Sequence, residues 1–394
     1  MATVPIPVSE CKFCGAQRSY IRTPDKKILC RACGEIIEKP TMRLVGGERV
    51  STGEEPQVVL ANLNSPINKI TLGDVDGDFT KEVIAATYKF NVPIFKFVYT
   101  PEKSELAKYR LRGLQLSAEA LKMIGYDING DASDEVIVLD ANCLLRIKNY
   151  HKGMFQGKIL TKSFTISSFM NPTEPAIALI DNTNTLKILN FNGIELYSLP
   201  LKLPSNATIT HIESGDFDGD GDEELFIVQS DRFVKYIDFD IPPEKKKAKK
   251  RELFVKDIED FFENVIAFMP IDLDKDIKYE LIVGSKYGDI VCYKFGLDGP
   301  LWTTKLSTDG KKYKLVSVSH GDPNNDSLVE IVTILNNGKV NLLSEDGDIF
   351  DEYKVELLDG EKIMDGVVGD ADNDGIDEVI VATNKGRLIM LNLT

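Results

Sequence analysis

Residues 73–87 read GDVDGDFTKEVIAAT, and residues 369–383 read GDADNDGIDEVIVAT. In both, acids stand at alternate positions after a glycine, a glutamate follows, and a strand-like apolar run comes next. The same register returns as DINGDASDE (127–135), DFDGDGDEE (216–224), DLDKDIKYE (272–280) and DPNNDSLVE (322–330). With the first Asp as position 1, every copy has Asp or Asn at positions 1, 3 and 5 and Glu at position 9. The copies recur about every fifty residues, apart from one gap of nearly twice that length. PAIALIDNTNTLKILN (175–190) lies in the gap and aligns with the strand, but has lost the acids before it. The sequence therefore contains seven units, one of them degenerate.

Alternate positions in a tight loop turn their oxygens toward one point. A hard ion such as Ca²⁺ takes six to eight oxygens there, and Mg²⁺ suits similar donors. The candidate ligands are Asp74, Asp76, Asp78 and Glu82 in the first loop, and Asp127, Asn129, Asp131 and Glu135 in the second. Asp216, Asp218, Asp220 and Glu224 follow, then Asp272, Asp274, Asp276 and Glu280. The last two sets are Asp322, Asn324, Asp326 and Glu330, and Asp370, Asp372, Asp374 and Glu378. Position 9 is placed to clamp the far side of the ion. An EF-hand shares the first three positions, but its Glu comes at position 12 and helices flank it. Here strands flank the loop, so these are not EF-hands. The bland alternative is a set of solvated acidic turns holding no ion. Carboxylates packed this closely repel one another, which favours a cation.

The pattern resembles the FG-GAP repeat of integrin α-subunits and related proteins. The resemblance covers about residues 56–394. It implies a seven-bladed β-propeller in which a calcium loop joins the first two strands of a blade. The family's Gly-Ala-Pro element is missing; SKYGDIVCY, LNNGKVNLL and TNKGRLIML stand in its place as short hairpins. The degenerate intracellular members of the group look closer than the integrins, and nothing resembles an integrin's membrane anchor. One blade cannot bury both its faces, whereas blades stacked in a ring can. The last unit ends after three strands, and PQVVLANL (56–63) has no blade of its own. It is expected to supply the outer strand of the last blade and close the ring.

The first forty residues are of another kind. CKFCGAQRSYIRTPDKKILCRACG (11–34) is C-x2-C, fifteen residues, C-x2-C. Cys11, Cys14, Cys30 and Cys33 suit one tetrahedral Zn²⁺, closed and structural, which would supply most of this short segment's folding free energy. Two disulfides would need an oxidising compartment. CRACGEIIEKP resembles the second knuckle of zinc ribbons in archaeal and eukaryotic transcription machinery, the transcription factor B family in particular. The expected domains are a zinc ribbon (1–41), a linker (42–55) and the propeller (56–394). Cys143 and Cys292 are expected as buried, inert thiols.

The composition of the 394 residues, 43% hydrophobic and 28% charged, is that of a soluble globular protein. No apolar run approaches the roughly 20 residues that span a bilayer. The N-terminus lacks the features of a secretory signal, so the cytoplasm is the expected compartment. Net charge is −15; six bound divalent cations would offset most of it. Lys245, Lys246, Lys247, Lys249, Lys250 and Arg251 form one basic run, read either as a solvated insertion between blade four and blade five or as a contact for phosphate or anionic lipid. No aromatic is interleaved to stack on bases. His211 and His320 precede acidic loops and are expected in core or supporting roles; His151 sits in a turn. Trp302 is expected to pack between blades. There is no phosphate-cradling loop, nucleophile elbow or open zinc site.

The resulting expectation is a non-enzymatic scaffold for protein partners, with rigid loop-bearing faces and docking opposite the acidic turns. One alternative is a nucleic-acid-associated factor using the ribbon and the basic run, whose affinity would fall steeply with salt. Another is an enzyme or carbohydrate-binding module with a site in the propeller channel, inactivated by point changes that leave melting intact.

Overall fold

The computed structural model describes residues 20–22, 28–30, 36–37, 57–100, 103–149, 159–167, 175–203, 207–219, 223–230, 234–238, 251–255, 265–294, 299–310, 312–326 and 328–393. All regular structure among them is β. From Gln57 onward the strands form seven four-stranded antiparallel sheets, the blades. Blade 1 runs from the channel outward as Ile67–Gly73, Glu82–Thr87, Asn91–Thr100 and Lys103–Gln115. Blade 2 is Ala120–Tyr126, Glu135–Asp140, Leu144–Lys148 and Ile159–Leu160. Blade 3 is Ser163–Ser167, Ala176–Ile180, Thr185–Leu189 and Glu195–Pro200, the unit without the acidic repeat pattern. Blade 4 is Ile209–Gly215, Glu224–Gln229, Val234–Asp238 and Arg251–Val255. Blade 5 is Val265–Ile271, Glu280–Ser285, Asp289–Lys294 and Trp302–Lys305. Blade 6 is Leu315–Gly321, Glu330–Leu335, Lys339–Leu343 and Ile349–Lys354. Blade 7 takes Ile363–Gly369, Glu378–Thr383 and Arg387–Leu391 from the C-terminal end, and Gln57–Asn62 as its outer strand.

The second strand of every blade is buried along its whole length. These are the apolar runs behind each glutamate. They do not alternate because a neighbouring blade covers each face of the sheet. Outer strands such as Ile349–Lys354 lie at the rim and are largely exposed. The core accordingly divides into clusters, each in a seam between adjacent blades. Ile84, Ile94, Val136 and Val138 join blades 1 and 2, and Leu145, Phe164 and Ile177 join blades 2 and 3. Ile188, Ile212 and Leu225 follow, then Phe217, Phe226 and Leu281, Ile282 and Leu343, and Val332 and Val381. The circle ends at Ile70, Val83, Ile380 and Leu388, between blades 7 and 1. Each seam buries several aliphatic side chains, worth about 1.5–3 kcal/mol each.

Near the channel the blades converge until backbone meets backbone. A Cβ on Gly125 would stand 2.6 Å from the carbonyl oxygen of Leu72 and 2.9 Å from Cα of Gly73. Neither atom can swing aside as a side chain would. Gly125→Ala is expected to cost about 1–3 kcal/mol through overpacking of this seam. Urea unfolding checks it, and an unchanged midpoint would show that the two inner strands are free to separate.

The hairpin glycines Gly288, Gly338 and Gly386 have φ of 91°, 92° and 82°, a region open chiefly to glycine. Cys292 is buried, and burial pushes its thiol up to about 12. Cys143 departs from expectation. It is only half-buried, at the turn after Asp140 with φ 60°, because the chain reverses there to pair Glu135–Asp140 with Leu144–Lys148. The basic run is also placed differently: Arg251 opens the outer strand of blade 4, paired with Asp238, so the insertion interrupts that blade instead of following it. Lys245, Lys246, Lys247, Lys249 and Lys250 lie outside the described residues, as does His151. Trp302 packs between blades 5 and 6, with its indole N–H donating to the Glu345 carbonyl at 2.7 Å.

Tyr20–Arg22, Ile28–Cys30 and Ile36–Ile37 form a small three-stranded sheet. Cys30 ends its middle strand. Cys11, Cys14 and Cys33 lie outside the described residues, as does the linker 42–55.

Candidate cation loops at one face of the ring

Each acidic loop connects the first strand of its blade to the second. The Asp at position 1 organises it. In blade 1 the Asp74 carboxylate accepts the backbone N–H groups of Gly77 (2.8 Å), Asp78 (3.1 Å) and Phe79 (2.7 Å). Asp127 does the same for Gly130, Asp131 and Ala132 at 2.6, 3.1 and 2.9 Å. This curl puts position 4 in the left-handed region in every loop: Gly77, Gly130, Gly219, Lys275, Asn325 and Asn373. Glycine and asparagine tolerate that region best, which explains their prevalence there. The Asp at position 5 then caps position 7, as Asp374 does for Ile376 at 2.8 Å.

Position 9 works differently from a simple clamp. One carboxylate oxygen accepts the N–H of position 2, from Val75, Ile128, Phe217, Leu273 and Ala371, at 2.8–3.0 Å. Position 2 is a buried apolar residue in these five loops, so its N–H has no water to turn to. Only the other oxygen is left to face the acids. In blade 6, position 2 is Pro323, which has no N–H to give. Glu330 Oε2 is correspondingly buried with no hydrogen-bond partner.

Acidic oxygens converge within 4.8 Å of one another in five loops: Asp74, Asp76 and Asp78; Asp216, Asp218 and Glu224; Asp272, Asp274 and Asp276; Asp322, Asp326 and Glu330; Asp370, Asp372 and Asp374. Asp220 lies outside the described residues. Burial first, then the neighbouring acids, push the glutamates up: Glu82 to about 8, Glu330 to about 7 and Glu378 to about 9. Burial also takes Glu135 to about 7 against the hydrogen bond from Asn149. Such groups hold a proton more tightly than an exposed carboxyl does, and added positive charge favours its release. An all-oxygen donor set with a buried, unpaired carboxylate oxygen is chemistry that fits Ca²⁺ or Mg²⁺.

Some of this charge is answered by residues the repeat pattern did not single out. Lys96 places its ammonium 2.8 Å from Asp76 and 3.3 Å from Glu82, and also pairs with Asp78. Lys294 lies 2.6 Å from Asp274 and 2.8 Å from both Asp276 and Glu280. In blade 2, Asn149 donates its amide to Glu135 and, at 3.3 Å, to Asp131. All three stand on or just beyond the third strand, opposite the position-9 glutamate, and at the same sequence distance beyond it. That constant spacing was the available signal.

Position 8 ties the loops around the ring. Asp134 accepts the Asp74 N–H at 2.8 Å and returns its own N–H to the Asp74 carbonyl at 2.6 Å. Asp377 accepts the Asp322 N–H at 3.0 Å, and the Tyr279 N–H donates to the Asp216 carbonyl at 2.8 Å.

The inner strands bear charged groups that pair with one another. Lys122 of blade 2 meets Glu213 of blade 4 at 2.6 Å, and Lys69 of blade 1 meets Asp365 of blade 7 at 3.2 Å. His211 packs on Phe268 with ring centroids 5.1 Å apart. Burial, then the nearby Lys122 and Lys69, push its pKa down to about 4, so it is neutral at pH 7. His320 is exposed.

No protein-family model matches the chain, and no curated protein matches it significantly. Solved structures do. The N-terminal part of BBS1 in its complex with ARL6, soaked with lead, gives a TM-score of 0.58 at 11% identity, over 85% of this chain and 95% of that one. The mercury-soaked form gives 0.60 at 10% identity, with the same coverage. Raptor of Chaetomium thermophilum gives 0.57 at 14% identity, over 84% of this chain and 28% of that one. At such identities the likeness concerns the fold, and that fold is the all-β propeller.

Proposed function

We propose that the chain is a non-enzymatic protein-interaction scaffold, a seven-bladed propeller of the FG-GAP type preceded by a zinc ribbon. The observation that carries this is a set of exposed apolar side chains on the face opposite the acidic loops. Strands alternate in direction, so the hairpin after the second strand opens on that face, as do the start of each first strand and the end of each fourth. Tyr88 and Phe90 occupy that hairpin in blade 1, 41% and 37% exposed; Leu121 and Leu160 flank it in blade 2, 47% and 51% exposed. Four large apolar side chains on two adjacent blades suit a protein partner. The similar BBS1 propeller was crystallised with a protein, ARL6.

The acidic loops hold Ca²⁺ or Mg²⁺ in this proposal, and the ions stiffen the turns of the other face. Cys11, Cys14, Cys30 and Cys33 hold one structural zinc. The compartment is the cytoplasm.

The test is a pull-down of the full chain from its own cells, with and without nuclease, beside the double variant Leu121→Glu, Leu160→Glu. The expected result is a stoichiometric protein that survives nuclease and is lost with the variant, while melting is unchanged. A partner set that vanishes with nuclease would instead identify a nucleic-acid-associated factor.

A further inference from the structure

Among the described residues, the acidic loops of blades 1 and 5 already contain a cation. Lys96 reaches from the third strand of blade 1 into the space between Asp76, Asp78 and Glu82, and Lys294 reaches from blade 5 among Asp274, Asp276 and Glu280. In each case the ammonium contacts the acids at positions 3, 5 and 9, so its three N–H donors meet three carboxylates. The two side chains are only 16% and 18% exposed. A divalent ion would need these same oxygens at about 2.0–2.6 Å. It could not share them with an ammonium at the centre of the same cage, on grounds of both room and charge.

In the other loops the matching third-strand place carries neither lysine nor arginine. The residue opposite the glutamate follows from the pairing of the second and third strands. Val83 pairs with Phe95 and Glu280 with Lys294, which sets Lys96 and Lys294 across from Glu82 and Glu280. By the same register Asn149 faces Glu135, and Asp238 stands at the corresponding place in blade 4. Ser344 and Asn392 follow the third strands of blades 6 and 7. None of these four is a cation. In blade 6, moreover, Glu330 Oε2 is buried and unpartnered beside Asp322 and Asp326.

We propose that the acidic loops of blades 1 and 5 take no divalent ion, their place for it being filled by Lys96 and Lys294, and that the residue facing position 9 selects which loops bind metal. The inference rests on reading the remaining loops as cation sites. It divides the six sequence-equivalent loops into two closed by the chain itself and, at most, four that depend on an ion from solution.

The experiment is a count of Ca²⁺ bound per chain at saturation, by equilibrium dialysis of the calcium-stripped full protein. The chains compared are wild type, Lys96→Ser, Lys294→Ser, the double variant, and Lys96→Arg with Lys294→Arg as charge-keeping controls. Wild type is expected to bind no more than four ions. Each serine variant is expected to gain one, and the arginine variants none. If a serine variant unfolds when stripped, refolding on addition of Ca²⁺ is the equivalent expected result. Six ions on wild type would overturn this inference and leave the cation reading of the loops intact. Serine variants that keep the wild-type fold and gain no ion would overturn it too. Zero ions on every chain would overturn the cation reading itself, and this inference with it.

Discussion

A chain that begins at residue 64 is expected to lose its cooperative melting transition and to aggregate, whereas one that begins at residue 56 melts as the full chain does. The difference between them is one strand. Gln57–Asn62 pairs with Arg387–Leu391 in the register Asn62 to Arg387, Ala61 to Leu388, Val58 to Met390 and Gln57 to Leu391. Without it the strand RLIML, buried along its length, becomes a sheet edge with open N–H and C=O groups, a template for pairing with another copy. Packing is lost as well, since Leu60, Ala61 and Leu63 lie against Ile380, Leu388 and Met390 in the seam between blades 7 and 1. The Leu63 N–H donates to the Gly386 carbonyl at 2.7 Å, and the Gln57 side chain exchanges hydrogen bonds with the Glu356 backbone at 2.7 and 3.2 Å. Size-exclusion chromatography and a circular-dichroism melt decide the matter. A monomeric 64–394 chain with an unchanged melt would mean that the ring does not need its closing strand.

That closure is legible in the sequence because it follows from a shortage: the last unit has three strands and PQVVLANL has no blade. The ring itself is legible because one loop chemistry recurs at a fixed interval. The degenerate unit is recognisable by its strands alone, Ala176–Ile180 and Thr185–Leu189, because burial between two neighbours demands the same apolar runs whether or not the loop keeps its acids. What the repeat hides is whatever differs between copies. Lys96, Asn149 and Lys294 stand at one spacing from their glutamates, but the other acidic units put Asp238, Ser344 and Asn392 there, so aligning the units shows a place without a shared side chain. The links at position 8 are obscured for another reason. Asp134 completes the loop of blade 1, Asp377 that of blade 6, and neither belongs to the repeat in which its partner lies. The dual duty of position 9 needs a tertiary fact, the burial of the position-2 N–H. Pro323 is the one place where the sequence betrays it.

The strongest single-residue dependence is expected at Arg387 and Glu361, which are 9% and 6% exposed beside the closing strand. Arg387 donates from Nε to Glu361 Oε1 at 2.9 Å and from its terminal nitrogen to Oε2 at 2.5 Å, a two-point fork. The same arginine reaches the Glu356 carbonyl at 3.0 Å, and Thr383 and the Leu358 N–H complete the carboxylate's partners at 2.7 and 2.8 Å. Removing one partner strands the other's charge in the interior. Arg387→Met and Glu361→Gln are therefore each expected to cost about 3–5 kcal/mol at pH 7. The double change Arg387→Met, Glu361→Leu should cost far less than the sum, because an apolar pair leaves no buried charge behind. pH supplies an independent reading. Burial alone would raise the Glu361 carboxyl, but the hydrogen bonds from Arg387, Thr383 and Leu358 and the guanidinium charge outweigh it and hold the group below the usual carboxylate range. A depressed carboxyl stabilises the fold fully above its unfolded value of about 4.3, and that stabilisation is lost as pH falls through the folded value. The gap in unfolding free energy between wild type and Glu361→Gln should thus stay constant from pH 7 to about 5 and narrow only below about 4.3. Chemical denaturation across that range measures it. Were the gap already closing above pH 5, another group would be carrying the effect, and the fork at Arg387 would not be what fastens the closing strand.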